Sequence, residues 1–81
     1  MITIRDYSQG HSVQFIFDNG LNFSMVQHSF SYSNNENVEI AILDSMGDFI
    51  TKDFIKDLGD DVKGWVSANE AVKIMNKVRK A

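Results

Sequence analysis

The run from Ser12 to Val26 constrains this chain more than any other stretch. Two sets of alternating apolar residues, Val13-Phe15-Phe17 and Leu21-Phe23-Met25, flank the tripeptide Asp18-Asn19-Gly20. Alternation at period two puts every second side chain on one face, so each set reads as a strand with one buried face. The length of the loop then decides the register. A two-residue Asn19-Gly20 turn would set Phe17 opposite Asn22 and Phe15 opposite Ser24, mixing large apolar and polar residues on both faces. A three-residue loop, a type I turn closed by Gly20 in the left-handed conformation, sets Phe17 opposite Leu21, Phe15 opposite Phe23 and Val13 opposite Met25. All six apolar side chains then share one face, and this register is the one expected.

The same logic extends along the chain. Ile2 and Ile4 alternate with Thr3 and Arg5, and Ser8-Gln9-Gly10-His11 is a polar turn, so residues 2–7 read as a first strand hairpinned to the second. After Gln27 the aliphatic residues stop, and residues 28–37 read as an exposed polar loop that carries Phe30 and Tyr32. Val38, Ile40 and Ile42 alternate with Glu39 and Ala41 as a further strand. Asp44-Ser45-Met46-Gly47-Asp48 reads as a turn, with Phe49-Ile50-Thr51 returning as a short fifth strand. Phe54, Ile55 and Leu58 fit one face of a helical turn or two, with Gly59 just past its end.

The last helix has clear signals. Ser67 followed three residues later by Glu70 forms a capping box, and Val66 before it can staple to the first turns. Ala71, Ile74, Met75 and Val78 make an apolar stripe flanked by Val72, while Lys77, Arg79 and Lys80 suit the negative end of the helix dipole. The expected fold is therefore α+β: an antiparallel β-meander of four to five strands packed against a C-terminal α-helix. It forms a single domain, with residues 1–51 as sheet, 52–66 as connector and 67–80 as helix.

Composition bounds what such a domain can be. At 81 residues a chain buries about 60 to 65% of the surface its unfolded form exposes, so a copy or a partner that covers more of it adds stability. A homodimer is the simplest such assembly. The absence of cysteine removes disulfides, thiolate metal sites and thiol nucleophiles, and a reducing cytoplasm is the expected compartment. Met1-Ile2-Thr3-Ile4-Arg5-Asp6 lacks the basic and apolar regions of a leader, and no stretch reaches the roughly 18 apolar residues of a membrane span. The net charge of −3 is segregated. Residues 36–63 hold eight acids against Lys52, Lys56 and Lys63, whereas residues 64–81 hold Glu70 against Lys73, Lys77, Arg79 and Lys80. Neither segment makes the long basic stripe of a nucleic-acid binder.

Catalytic signatures are missing from the sequence. His11 and His28 approach the same end of the proposed hairpin and could form a metal or acid–base site with Asp6 or a loop acid, but no HExxH or other spaced ligand set accompanies them, and the pattern is that of two surface histidines. The acids around Gly47 and Gly59 lack the alternating oxygen ligands and terminal Glu of a calcium loop and read as turn chemistry. There is no phosphate-binding glycine loop and no nucleophile elbow, so no cofactor and no enzyme activity are expected. The aromatic residues are more informative. Trp65 is expected to pack on the sheet at the helix start. Phe30 and Tyr32, set among Ser and Asn, have the make-up of a recognition surface. The acidic stretch containing Asp53, Asp57, Asp60 and Asp61 is a second candidate for binding a partner.

An Ile4-Arg5-Asp6-Tyr7 strand, a Val13-Gln14-Phe15 to Phe17-Asp18-Asn19-Gly20 hairpin, a Val38-Glu39-Ile40-Ala41-Ile42 strand and the stretch Asp61-Val62-Lys63-Gly64-Trp65-Val66-Ser67 followed by Glu70 span nearly the whole chain. Together they resemble the short early and accessory proteins of tailed bacteriophages. The resemblance implies a protein that binds and inhibits a host factor, including defence nucleases, CRISPR effectors or the nucleotide signals that trigger defence; it assigns no residue a role. The leading expectation is a non-enzymatic inhibitor acting on a host protein or defence component. The alternative is an oligomer that binds a small anionic or nucleotide signal, using Lys77, Arg79 and Lys80 with the loop after the third strand. A small hydrolase using His11 and His28 comes third.

Overall fold

The computed structural model describes residues 1–7, 10–28 and 37–81, with Arg5, Asp6, Tyr7 and His28 described by their backbone. Five strands, β1 (Ile2–Tyr7), β2 (Gly10–Ile16), β3 (Asn22–His28), β4 (Asn37–Leu43) and β5 (Lys63–Ser67), form one antiparallel sheet in sequential order. An α-helix, α1 (Ala68–Lys80), follows β5 directly. This is the expected α+β meander with a C-terminal helix.

The β2–β3 hairpin takes the three-residue loop. Phe15 pairs with Phe23 and Val13 with Met25, and the Phe17 amide donates to the Leu21 carbonyl at 2.9 Å. Gly20 sits at φ +85 and its amide donates to the Phe17 carbonyl at 3.0 Å, which closes the type I turn. The shared register sets Ile2, Phe15, Phe23 and Ile42 in one row across four strands, and Ile4, Val13, Met25 and Ile40 in the next. Residues opposite each other on neighbouring strands share a face, so these rows make one apolar face. Phe15 and Phe17 stack on it with ring centroids 6.3 Å apart.

The helix packs on that face over β4 and β5. Phe23, Ile40, Ile42 and Val66 from the sheet and Ala71, Ile74 and Val78 from α1 form the buried core, with Met75 half-buried beside them. Ser67 caps the helix as expected, its Oγ accepting from the Glu70 amide at 3.2 Å.

The stretch between β4 and α1 differs from the expectation. Phe49 makes a single bridge to Leu43, not a strand, and a 3-10 turn at Thr51–Asp53 replaces the helical turn or two expected over residues 52–58. The fifth strand comes later, at Lys63–Ser67, spanning the end of the expected connector and the first residue of the expected helix. Polar Lys63 and Ser67 and the small Gly64 hide its pattern, and Val66 is its one buried side chain. A bulge breaks its alternation further: between the Val38–Val66 and Ile40–Lys63 pairs, Gly64 and Trp65 face the single residue Glu39. Thr51 fixes the connector from inside. Its buried Oγ1 accepts from the Ile42 amide at 3.0 Å and donates to the Asp61 carbonyl at 2.6 Å.

Candidate functional site

Trp65 lies where the sequence placed it along the chain but not where it placed the ring. Expected to pack on the sheet, it is instead 58% exposed. The bulge is the cause: two residues must face one, and Trp65 absorbs the mismatch at φ +57, a left-handed conformation that costs an ordinary L-residue about 1 to 2 kcal/mol. Its neighbour Val66 then turns into the core, fully buried.

The acidic candidates surround the approach to this strand. Asp53, Asp57, Asp60 and Asp61 are all exposed. Asp57 takes a left-handed φ of +61, and Asp60 Oδ1 accepts from the Asp61 amide at 2.7 Å. Such conformations are ones that Asp tolerates by hydrogen-bonding its own backbone, so this stretch is a series of turns. Asp44 behaves likewise: its Oδ1 accepts from the amides of Met46 and Asp48, at 2.9 and 3.0 Å, which is turn chemistry. Phe30 and Tyr32 lie outside the described residues.

The basic candidates occupy the end of α1. Lys77, Arg79 and Lys80 are exposed; at about 100° per residue Lys77 and Lys80 lie about 60° apart on one face, and Arg79 points about 100° away from Lys80. Arg79 alone among them lines an open cleft of about 460 Å³, with Phe15, Phe17, Asp18 and Asn19 among its other walls. This end of the helix lies at the β2–β3 turn, where Asn19 Nδ2 donates to the carbonyls of Val78 and Ala81 at 2.8 and 3.0 Å. Asn37, which bounds the polar segment after β3, pairs with Ser67 at the start of the helix instead. Within one chain Asn37 and the basic helix end thus lie at opposite ends of a 13-residue helix, about 20 Å long.

The histidines fall on successive rungs of the β2–β3 ladder, His11 opposite Gln27 and His28 opposite Gly10. Among the described residues no three His, Asp or Glu side chains gather closely enough to hold a metal ion, and no helix is long and apolar enough to cross a membrane. No protein-family model matches the chain, and neither a curated protein nor a solved structure matches it significantly.

Proposed function

We propose that this chain is a non-enzymatic binding module of bacteriophage type that inhibits or sequesters a host factor through protein–protein contacts in the host cytoplasm. The exposure of Trp65 carries the reading. Tryptophan is among the side chains that dominate binding hot spots, and a large ring left 58% in water at a strained φ is what a contact surface retains and a stability-optimised surface discards. The exposed carboxylates of Asp53, Asp57, Asp60 and Asp61 come shortly before it in the chain and suit a basic partner surface. Phe30 and Tyr32 remain partner-binding candidates by their residue type in this reading.

The test is affinity capture from bacterial lysate with wild type, Trp65→Ser, a Phe30→Ser/Tyr32→Ser double variant and a variant with the four aspartates changed to Asn. A stoichiometric host protein whose affinity falls at least tenfold, about 1.4 kcal/mol, in the aromatic or acidic variants is the expected result. A partner bound equally by all four, or no stoichiometric partner, overturns the reading.

A second reading, an oligomer that binds a small anionic or nucleotide signal, is favoured by one observation: Arg79 lines an open cleft beside the stacked Phe15 and Phe17 rings. Arg79→Glu should abolish ligand binding under this reading and leave protein capture intact under the first. In both readings the chain associates as a homodimer.

A further inference from the structure

The two edges of the sheet are unlike. The β5 edge is five residues long, bulged, and bent through Trp65 at φ +57, devices that discourage another strand from pairing there. The β1 edge has none of them. Its six residues pair with β2 in an unbroken register, and the chain contains no proline.

Which backbone groups β1 leaves free follows from its ladder. Met1 and Ile16 exchange both hydrogen bonds, N to O and O to N, each at 2.8 Å. Hydrogen-bonded and non-bonded pairs alternate in an antiparallel ladder, so Thr3, Arg5 and Tyr7 turn their amides and carbonyls toward β2. Ile2, Ile4 and Asp6 turn theirs outward. The same strand presents Ile2 and Ile4 at 61% and 67% exposure on the apolar face, because α1 lies over β4 and β5 and stops short of β1.

We propose that β1 is a homodimer interface, in which two copies pair antiparallel about a twofold axis at Ile4 to make a continuous ten-stranded sheet. The inference rests on the self-association proposed above and locates it. A second copy is the occupant because the row is self-complementary. Centred on Ile4, it sets Ile4 opposite the partner's Ile4 and Ile2 opposite the partner's Asp6, so all three outward residues of each strand exchange both hydrogen bonds. Arg5 then faces the partner's Thr3, and no like charges stand opposite each other, whereas a centre on Arg5 or Asp6 would set like charges face to face. The pairing also brings the two exposed Ile4 side chains together.

An interface of this small size predicts a dissociation constant on the order of micromolar, so sedimentation of the wild type from about 1 to 200 µM should pass from monomer to dimer. Ile4→Pro removes an outward amide and no hydrogen bond within the chain, and Ile4→Lys places two charges on the axis. Both should remain monomeric with unchanged circular dichroism, while Val72→Lys, on the exposed flank of α1, should still dimerise. Because the chain has no cysteine, Ile4→Cys gives an independent readout in the folded protein: mild oxidation should cross-link it quickly and Val72→Cys slowly. A wild type that stays monomeric throughout overturns both the edge interface and the self-association. A dimer that survives the Ile4 substitutions and fails to cross-link at Ile4 overturns the edge alone.

Discussion

The side-chain amide of Asn19 donates to the carbonyl of Val78 at 2.8 Å, joining the β2–β3 turn to the end of a helix 59 residues further along the chain. The same side chain accepts from the Leu21 amide at 3.0 Å. One residue therefore shapes the turn and donates to carbonyls of the last helical turn, where, among the described residues, the Val78 carbonyl otherwise receives only the Ala81 amide at 3.3 Å. Asn19→Ala should cost about 1 to 2 kcal/mol in a urea melt. Asn19→Asp keeps the acceptor for Leu21 but sets a negative charge against the negative end of the helix, and at pH 7 it should melt below the alanine variant. Asp melting above Ala would overturn this account.

Gly20→Val tests the register. At φ +85 a β-branched side chain is strained, yet a Cβ there would meet Ser45 Cβ at an ordinary 3.6 Å. The cost is conformational, about 1 to 2 kcal/mol, without a clash. Equal urea midpoints for wild type and variant would contradict the left-handed turn.

Thr51→Val should be more damaging than its near-equal volume suggests. The buried hydroxyl serves both the Ile42 amide and the Asp61 carbonyl, and removing it strands buried polar groups at about 1 to 3 kcal/mol. Thr51→Ser should recover most of the loss, and a valine variant as stable as wild type would refute the bond.

At position 65 the backbone can be examined apart from the ring. Trp65→Gly should be about 1 kcal/mol more stable than Trp65→Ala, because glycine tolerates the left-handed φ and alanine does not. Alanine equal to or above glycine in thermal unfolding would remove the bulge geometry.

Charge placement on α1 gives the last comparison. Ile74→Asp puts an unpaired carboxylate at a 5% exposed core position and should unfold the domain, whereas Lys73→Asp, exposed one residue earlier, should leave the melting temperature nearly unchanged. Similar melting of the two would mean that the helix does not dock by this face.

Much of the architecture was legible in local pattern. The period-two runs at Val13–Phe17, Leu21–Met25 and Val38–Ile42 each carry their strand, Asp18-Asn19-Gly20 carries the register, and Ser67 with Glu70 marks the helix start. These signals are legible because each depends on neighbours in sequence: an alternation, a glycine at a forced φ, a cap three residues from its amide. The surface candidates were legible as residue types, and their chemistry gave no more than exposure for the acids of the connector.

What the tertiary structure alone decided is where segments distant in sequence meet. The strand Lys63–Ser67 has one buried side chain and a bulge in place of alternation, so it is a strand because β4 offers an edge, and that edge turns Trp65 outward into the left-handed region. The coverage of the sheet was decided in the same way. Ile2 and Ile4 carry the same alternation as Ile40 and Ile42, yet the first pair is left in water and the second is buried, because one helix of 13 residues lies over β4 and β5 and is too narrow to reach β1. Periodicity names a face that can be buried; the docking of another element determines how much of it is.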